Sequence, residues 1–494
     1  MSSPSATLGS DEANQRRWLA LGVLALVQFM LVLDITVVNV ALTTIEKDLD
    51  FSRAGLTWVV DGYVLTAGGL LLLGGRLADL LGRRRMFLVG IGVFTIASAL
   101  SGAAQSPGML IASRFLQGVG EALAAPAAFG LIALLFTSPS ERAKAVGIFG
   151  GVAGLGGTFG PIISGLLLQI NWRWIFFVNL PIAIFAMWAV VRLVDESRAD
   201  KRTTQGRPDI AGAVLITAGL SGIVYGLIKA AEKSWGSVEV LLPLILGIAL
   251  IGVFVAVEST ISDPLVPLRF FTNRTRVTAN VVTLFFASVF FTMFYLLTLY
   301  FEQVQGYSAL RTGAAYLPFG IVIALGIGAS SVLVPKVGVK PLLGAGFVLF
   351  AVGMALLSRI TVGGSYWSED FPGLVLTALG SGFAFAGFAN ASVHGVSRED
   401  TSLASGVQNA VQQIGGAIGL AVLATIALRH AKGAGPGVSA AQASTDGYVL
   451  TFQIGAIVMA VGAAVVFLLL ERVSPMTDAA FAALPDDDED VVPA

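Results

Sequence analysis

A short charged turn between two long apolar stretches places the strongest restriction on the fold of this chain. The turn reads Gly-Arg-Leu-Ala-Asp-Leu-Leu-Gly-Arg-Arg-Arg from residue 75 to residue 85, and the stretch on each side is long enough to cross a bilayer. Placing four arginines and an aspartate in hydrocarbon has a large free-energy cost. The chain must therefore cross the membrane, expose this turn at the surface and cross again, as polytopic membrane proteins do.

The composition supports a membrane protein and excludes several other classes. Only 12% of the 494 residues are charged and 55% are hydrophobic, whereas a soluble domain has about 25% charged residues. A net charge of -1 argues against nucleic acid as a partner, because binding phosphates needs a clustered basic surface. The chain has no cysteine, so disulfides, thiolate metal sites and cysteine nucleophiles are excluded.

Hydropathy over windows of about 19 residues predicts fourteen membrane spans. Lipid cannot satisfy the open edge of a sheet, and the apolar stretches are too long for barrel strands, so the fold is predicted to be all-α. The spans are predicted at 18–42, 56–76, 86–105, 109–134, 145–169, 174–193, 209–230, 239–259, 277–301, 312–334, 341–359, 371–393, 404–427 and 447–470.

The distribution of lysine and arginine predicts the orientation of the chain. An even number of spans puts both termini on one side, and the segments on that side hold 20 basic residues against 9 on the other. Basic residues accumulate in the cytoplasmic segments of membrane proteins. We therefore expect a multi-pass protein of the cell membrane with both termini in the cytoplasm.

A weak internal repeat predicts two related halves. The charged turn after the second span has a degraded counterpart at 331–341, and aligning Gly82 with Gly338 places Arg84 on Lys340. Two related halves around a central cavity are common in secondary transporters. The predicted divisions are a tail at 1–17, a six-helix bundle at 18–193, a linker at 194–208, an inserted helix pair at 209–259, a second six-helix bundle at 277–470 and an acidic tail at 471–494.

Four motifs resemble those of a known family. The loop Gly-x-Leu-Ala-Asp-x-x-Gly-Arg-Arg at 75–84 resembles the signature of the major facilitator superfamily, and fourteen spans resemble its 14-helix drug/proton antiporter branch. The segment 33–42 resembles the first-helix motif of that branch, with Thr43 where a proline often follows. The segment 114–118 resembles the fourth-helix motif, and the segment 154–165 resembles the fifth-helix antiporter motif, with Ser164 where glycine is usual.

The resemblance implies a role for two of these motifs. In the loop, an aspartate among arginines would form a conformational latch; the alternative is that the arginines only follow the cytoplasmic excess of positive charge. The fifth helix would seal one side of an exchanger; the alternative is a kink that the membrane tolerates. The latch residues are Gly75, Asp79, Gly82, Arg83 and Arg84, and the antiporter-helix residues are Gly154, Gly160, Pro161 and Gly165.

Ionisable side chains inside the spans are the main candidates for the site, since each costs about 2.5 to 3.5 kcal/mol to insert. They are Asp34, Arg114 and Glu121. Arg114 and Glu121 share one helix face, and Asp34 lies about 24 Å from the inner end of its span while Arg114 lies about 7 Å from the outer end of its own. In a hydrocarbon core of about 30 Å these depths nearly coincide, so an ion pair between Asp34 and Arg114 is possible.

Glu121 lies nearer the membrane midplane, without an evident cationic neighbour. A carboxylate in apolar surroundings takes up a proton readily, so Glu121 is the first candidate for the proton-exchanging group and Asp34 is the second. The resemblance adds Asn39 and Gln117 to this proton-coupling and substrate site. The alternative role for all of them is hydrogen bonding between helices.

Three further groups are predicted near the ends of spans or in the second half. Asp61 is expected to be a solvated charge at the outer mouth or part of an outer gate. Glu302 and Arg311 are expected to be solvated in an outer turn. Span 13 offers amides for a substrate or for helix contacts, and the second half has no carboxylate deep in a span, which favours a monovalent or neutral lipophilic substrate. The amides are Gln408, Asn409, Gln412 and Gln413.

These residues and the resemblance together predict a proton-coupled antiporter that exports lipophilic, cationic or neutral drugs by alternating access. The alternatives are an uptake symporter for a small metabolite and, remotely, a membrane-embedded transferase. The expected partners are small lipophilic molecules, protons and the lipid bilayer, and the protein is expected to be monomeric. No cofactor or metal is expected: the driving force is the proton gradient, and the histidines His394 and His430 lie at span ends. Phenylalanines of span 9 are expected to face lipid or a ring system of the substrate.

Overall fold

The computed structural model describes residues 5–136, 139–194, 209–261, 264–266, 268–392, 400–435 and 437–471. All regular secondary structure in these ranges is helical, which confirms the predicted all-α fold. Fourteen long helices are present in them. They are α1 (Ser5–Asp48), α2 (Trp58–Leu81), α3 (Arg83–Gly102), α4 (Pro107–Leu135), α5 (Pro139–Leu168), α6 (Asn179–Leu193), α7 (Ile210–Lys229), α8 (Val238–Glu258), α9 (Arg274–Leu299), α10 (Leu317–Val337), α11 (Val339–Leu357), α12 (Phe371–Ser392), α13 (Asp400–Lys432) and α14 (Ala440–Leu469).

Short helical segments flank several of the long helices. They are Arg53–Leu56, Trp174–Phe177, Leu268–Thr272, Tyr300–Val304, Ala309–Ala315 and Tyr366–Asp370. Among the described residues, thirteen helices are long and apolar enough to cross a membrane. The remaining predicted span, 145–169, falls on α5, whose described apolar part is Phe159–Leu168. Helix α1 begins at Ser5, so part of the predicted tail at 1–17 continues the first helix.

Glycines allow the helices of the first half to approach one another closely. A Cβ atom at Gly74 of α2 would overlap the carbonyl oxygen of Ala122 in α4, and one at Gly118 would overlap the hydroxyl of Thr66. Since apolar association gives no net gain inside lipid, close packing of small residues is what holds membrane helices together. Gly74 and Gly118 therefore serve close helix packing.

A cluster of aromatic side chains forms the interior of the second half. Phe286 of α9 is fully buried, and its ring lies between 5.2 and 6.3 Å, centroid to centroid, from five other phenylalanine rings. Phe286 therefore contacts protein, not lipid. The five are Phe290, Phe347, Phe350, Phe385 and Phe388.

Two equivalent turns support the internal repeat. Gly82 connects α2 to α3 with φ of 101°, and Gly338 connects α10 to α11 with φ of 85°. Both values lie in the region that glycine adopts without a steric penalty. The two aligned glycines therefore share a positive φ, as expected for equivalent turns.

The helix pair α7 and α8 lies beside the two halves. Helix α7 packs on α2 of the first half and on α13 of the second, whereas α8 packs mainly on α7. Glu258, at the end of α8, is buried and accepts the backbone N–H groups of Leu265 and Val266 at 3.3 and 3.0 Å. This carboxylate fixes the start of the connection to α9.

The two halves contact each other at the membrane face opposite the chain termini, which we name the distal face. There Thr43 of α1 donates a hydrogen bond to Glu302, and Gln303 Nε2 donates to Glu46 Oε2 at 2.9 Å. At the face that bears the termini, the ion pairs Arg17–Glu141 and Asp79–Arg83 each join residues of the first half. The distal face is therefore closed in this conformation.

Helix α5 contributes to this distal closure. A Cβ atom at Gly165 would lie 2.6 Å from Cα of Leu310, and the carbonyl oxygen of Pro161 lies against Gly313. Gly160 lies against Thr36 of α1. Small residues on α5 thus allow it to contact α1 and the short helix before α10 at the same time.

Candidate functional site

A buried ion pair between α1 and α4 forms the centre of the site. Asp34 is 0% exposed and Arg114 is 1% exposed, and Arg114 Nη1 donates to Asp34 Oδ2. The depths estimated from the sequence made this pair possible, and the structure contains it. Removing one partner of a buried pair costs about 3 to 5 kcal/mol, because it leaves an uncompensated charge.

Gln117 joins both members of the pair to α3. Its Oε1 accepts from Arg114 Nη1 at 2.9 Å and from Ser101 Oγ at 3.1 Å. Its Nε2 donates to Asp34 Oδ1 and to Ser98 Oγ, both at 3.0 Å. The amide therefore connects three helices through the charged centre.

Asn179 completes the coordination of Asp34, and the sequence analysis missed it. Its Nδ2 donates to Asp34 Oδ1 at 2.8 Å and to Ser98 Oγ at 2.9 Å, and the side chain is 0% exposed. Asn179 begins α6, which packs on α1 and α3. A lone amide inside an otherwise apolar predicted span was the available signal.

The guanidinium of Arg114 is held on several sides. Its Nε donates to the carbonyl oxygen of Val59 at 2.8 Å. Its Cζ lies 4.4 Å from the ring centroid of Tyr63 and 5.9 Å from that of Phe176, within the range of cation–π attraction. Arg114 is therefore a fixed positive charge within the first half.

Glu121 differs from Asp34 because its charge is poorly compensated. It is 8% exposed, and its Oε2 has no hydrogen-bond partner among the described residues. The nearby hydroxyl of Tyr63 is also buried without a partner there. A buried carboxylate with an unsatisfied oxygen is costly, so binding a proton or a cationic group at Glu121 would lower the free energy.

Several predicted site residues do not join this cluster. Asn39 is half-buried and donates to the carbonyl of Ile35 in its own helix at 3.2 Å. On α13, Gln408 is 9% exposed and Gln412 is half-buried, whereas Asn409 is exposed. Asn409 therefore does not share the burial of Gln408, and the substrate role of these amides stays a prediction.

Two charges that we expected to be solvated are not. Asp61 is 0% exposed, and neither of its oxygens has a partner among the described residues, so the solvated-mouth interpretation is wrong. Glu302 is partly buried and accepts from Thr43, so its predicted solvation is also wrong. Glu302 lies at the closed distal face, where Thr43 of the other half contacts it. Arg311 is exposed and lies over the ring of Tyr307, 3.8 Å from its centroid.

The charged turn connects helices within the first half. Arg83 forms an ion pair with Asp79 at 3.0 Å and donates from Nη1 to the carbonyl oxygen of Gly130 in α4 at 2.9 Å. Arg84 donates to the carbonyl oxygen of Val191 at the end of α6, also at 2.9 Å. Gly75 makes an ordinary contact with Pro126. The latch role stays a prediction.

The remaining predicted residues lie on α5. Gly160, Pro161 and Gly165 form the close contacts described above, and Gly154 lies in the same helix, outside the side chains that the structure describes. His394 also lies outside the described residues, and His430 lies in the last turn of α13. Within the described ranges, no group of three His, Cys, Asp or Glu side chains could hold a metal ion.

Comparison with known proteins identifies the group to which these features correspond. A model of the Major Facilitator Superfamily matches residues 24–420. The chain is 39% identical to the puromycin resistance protein pur8 of Streptomyces alboniger, over 93% of this chain and 91% of that protein. It is 36% identical to the cephamycin export protein CmcT of Amycolatopsis lactamdurans, over 81% of this chain and 82% of that protein.

The fold resembles that of solved transporters. A bacterial homologue of the human drug peptide transporters PepT1 and PepT2 aligns with a TM-score of 0.61, over 92% of this chain and 98% of that chain, at 16% sequence identity. A likeness at this identity shows the fold alone.

Proposed function

Since the chain belongs to the major facilitator superfamily and is a transporter of the cell membrane, not an enzyme, we propose that it exports lipophilic antibiotics or drugs in exchange for protons. The direction of transport is supported by the names of two relatives, one a resistance protein and one an export protein. Both align with more than four fifths of the chain.

The proposal of proton coupling rests on the buried carboxyl group of Glu121. It is buried beside the Asp34–Arg114 centre and has an oxygen without a partner among the described residues. In the proposed cycle, Glu121 holds a proton when no substrate is bound and releases it when a cationic or polar part of the substrate takes its place. Arg114 keeps Asp34 compensated throughout.

Exchange also fits the energetics of a charged membrane. Moving one charge across 100 mV corresponds to about 2.3 kcal/mol. Exchanging one inward proton for one outward monocation cancels this electrical contribution and leaves the pH gradient as the driving force. With both termini in the cytoplasm, as the charge bias predicts, the closed distal face corresponds to a conformation that accepts substrate from inside.

Proton release from the purified protein tests this proposal, with puromycin as the probe. We expect the wild-type protein to release protons when puromycin binds, and Glu121→Gln to remove this release. Asp34→Asn should reduce proton-coupled efflux from proteoliposomes. Glu239→Gln is the matched control, since Glu239 pairs with Lys233 in an exposed position and should behave like the wild type.

Two results would contradict the proposal. Wild-type efflux in both the Glu121 and Asp34 variants would remove these residues from the mechanism. Movement of puromycin and protons in the same direction would make the protein an uptake symporter.

A further inference from the structure

Two π-helical turns lie at the distal end of the second half, and both carry acidic residues. In the part of the chain that the structure describes, Tyr300–Val304 extends α9 and contains Glu302, while Tyr366–Asp370 precedes α12 and ends in Asp370. Such turns are rare and are frequent at functional sites. Neither acid is used in the mechanism proposed above.

Asp370 is the more isolated of the two acids. It is 0% exposed, and neither carboxyl oxygen has a hydrogen-bond partner among the described residues. Its neighbours include three tyrosines, Tyr300, Tyr316 and Tyr366. Its sequence neighbour Glu369 is bound by the backbone N–H of Thr361 at 2.9 Å.

The three tyrosine hydroxyls do not donate to Asp370, because each donates elsewhere. Those of Tyr300 and Tyr366 donate to the carbonyl oxygens of Thr361 and Ala315, at 2.8 and 2.7 Å respectively. Tyr316 donates to the carbonyl oxygen of Phe294 at 3.2 Å and also contacts Thr298 Oγ1 at 2.9 Å. An ionised Asp370 would therefore be buried without any donor, which is costly.

Glu302 connects this region to the first half. Its Oε2 accepts from Thr43 of α1, while its Oε1 has no partner within the described ranges. Lys47 of α1 is a nearby positive charge. The two π-helical turns pack against each other, since the ring centroids of Phe301 and Tyr366 lie 6.2 Å apart, so the two acids belong to one region.

The space around the acids is filled by aromatic rings. Phe301 stacks on Tyr307 with centroids 5.4 Å apart and contacts Tyr316 at 5.8 Å, and Phe294 contacts Tyr316 at 5.1 Å. An organic cation would have to displace these rings. A proton needs no cavity and removes the cost of the buried charge.

We propose that Glu302 and Asp370 form a second proton-binding site, which holds the distal face closed when protonated and favours its opening when deprotonated. The site lies in the half opposite to Glu121. The link between this site and transport rests on the proposed function. The proton-controlled opening of the distal face does not depend on that function.

The direction in which pH shifts the open and closed populations follows from the linkage between proton binding and conformation. The closed conformation buries both carboxyls and so binds more protons than an open conformation in which water solvates them. Raising the pH must therefore shift the population toward the open conformation. One linked proton changes the open-to-closed ratio by about tenfold per pH unit at most.

Distance measurements across the distal face test this inference without substrate or gradient. The chain has no cysteine, so Gln105→Cys and Val362→Cys, exposed on the two halves, can carry spin labels in the full-length protein in liposomes. We expect the fraction with a long distance to rise with pH. Asp370→Asn and Glu302→Gln should each weaken this pH dependence and keep the distal face closed.

Controls separate this inference from a folding defect and from the proposed function. Glu369→Gln, which changes an adjacent acid that already has donors, should retain the wild-type pH dependence. A wild-type distance that does not change with pH, or an unchanged dependence in both the Asp370 and Glu302 variants, would overturn the inference. If puromycin efflux proves independent of protons while the distance still follows pH, the proposed function fails and the second proton site stands.

Discussion

Asp34 and Glu121 show how two acids in one half acquire different chemistry from their surroundings. Asp34 accepts from Arg114, Gln117 and Asn179, so its charge is compensated by three side chains. Glu121 has an oxygen without any partner among the described residues. The first arrangement favours a permanent charge that organises the helices, and the second favours a group that exchanges its ligand.

Asn179 provides a test of this difference at the residue scale. Asn179→Leu removes one donor to Asp34 and one to Ser98, and a lost hydrogen bond to a buried charge costs about 1 to 3 kcal/mol. We expect a lower unfolding temperature in detergent. Gln169→Ala, in the exposed turn after α5, is the control and should unfold close to the wild-type temperature. An unchanged unfolding temperature in Asn179→Leu would show that the amide does not stabilise the charged centre.

At the scale of helices, the turns that join them are as specific as the spans. The loop between α2 and α3 depends on Gly82, and the equivalent loop between α10 and α11 depends on Gly338. Around the first turn, Arg83 and Arg84 bind carbonyl oxygens of α4 and α6. The turn therefore sets the relative positions of four helices of the first half.

The glycines of this motif give a matched pair of substitutions. Gly82→Ala places a side chain at φ of 101°, a conformation that costs about 1 to 3 kcal/mol for other residues. Gly75→Ala introduces a Cβ atom whose nearest neighbour is Pro126 Cβ at an ordinary 3.6 Å. Thermal unfolding should show a clear loss of stability for Gly82→Ala and little change for Gly75→Ala. Equal losses would indicate that the motif acts through something other than backbone conformation.

At the scale of the whole molecule, the distal contacts determine which conformation is observed. Thr43 with Glu302, Glu46 with Gln303, and Gly165 with Leu310 all join one half to the other. Asp61 is buried in the same conformation. Transport by alternating access requires these contacts to break in each cycle.

Cross-linking across the distal face tests this requirement. In the cysteine-free chain, Glu46→Cys and Gln303→Cys can be joined by a bifunctional methanethiosulfonate reagent that links the halves, and puromycin efflux should stop until a reductant is added. Asp48→Cys with Arg173→Cys is the control, because this ion pair of 2.7 Å lies at the same face within one half. Efflux that continues through the cross-link between the halves would contradict rocking of the two halves about the site.

The predictability of the site differed from residue to residue. The depths of Asp34 and Arg114 were sufficient to show that an ion pair was possible, because helix rise converts residue position into distance. Asn179 was missed since its contact depends on how α6 packs against α1 and α3. Asp61 and Glu302 were predicted to be solvated because they lie near span ends. Position along a span does not show which helices cover a side chain there.

Hydropathy and charge alone determined that this chain crosses the membrane as many helices, because the free energy of placing a residue in lipid depends mainly on that residue and its neighbours along the chain. The glycine alignment of the two halves was likewise readable, since a tight turn has a local requirement. Only the tertiary structure decided which buried acids have partners and which do not. The partners of Asp34 come from helices far apart in the chain, whereas Asp370 has none among the described residues. The relative positions of the helices depend on packing and on which face of the molecule is closed.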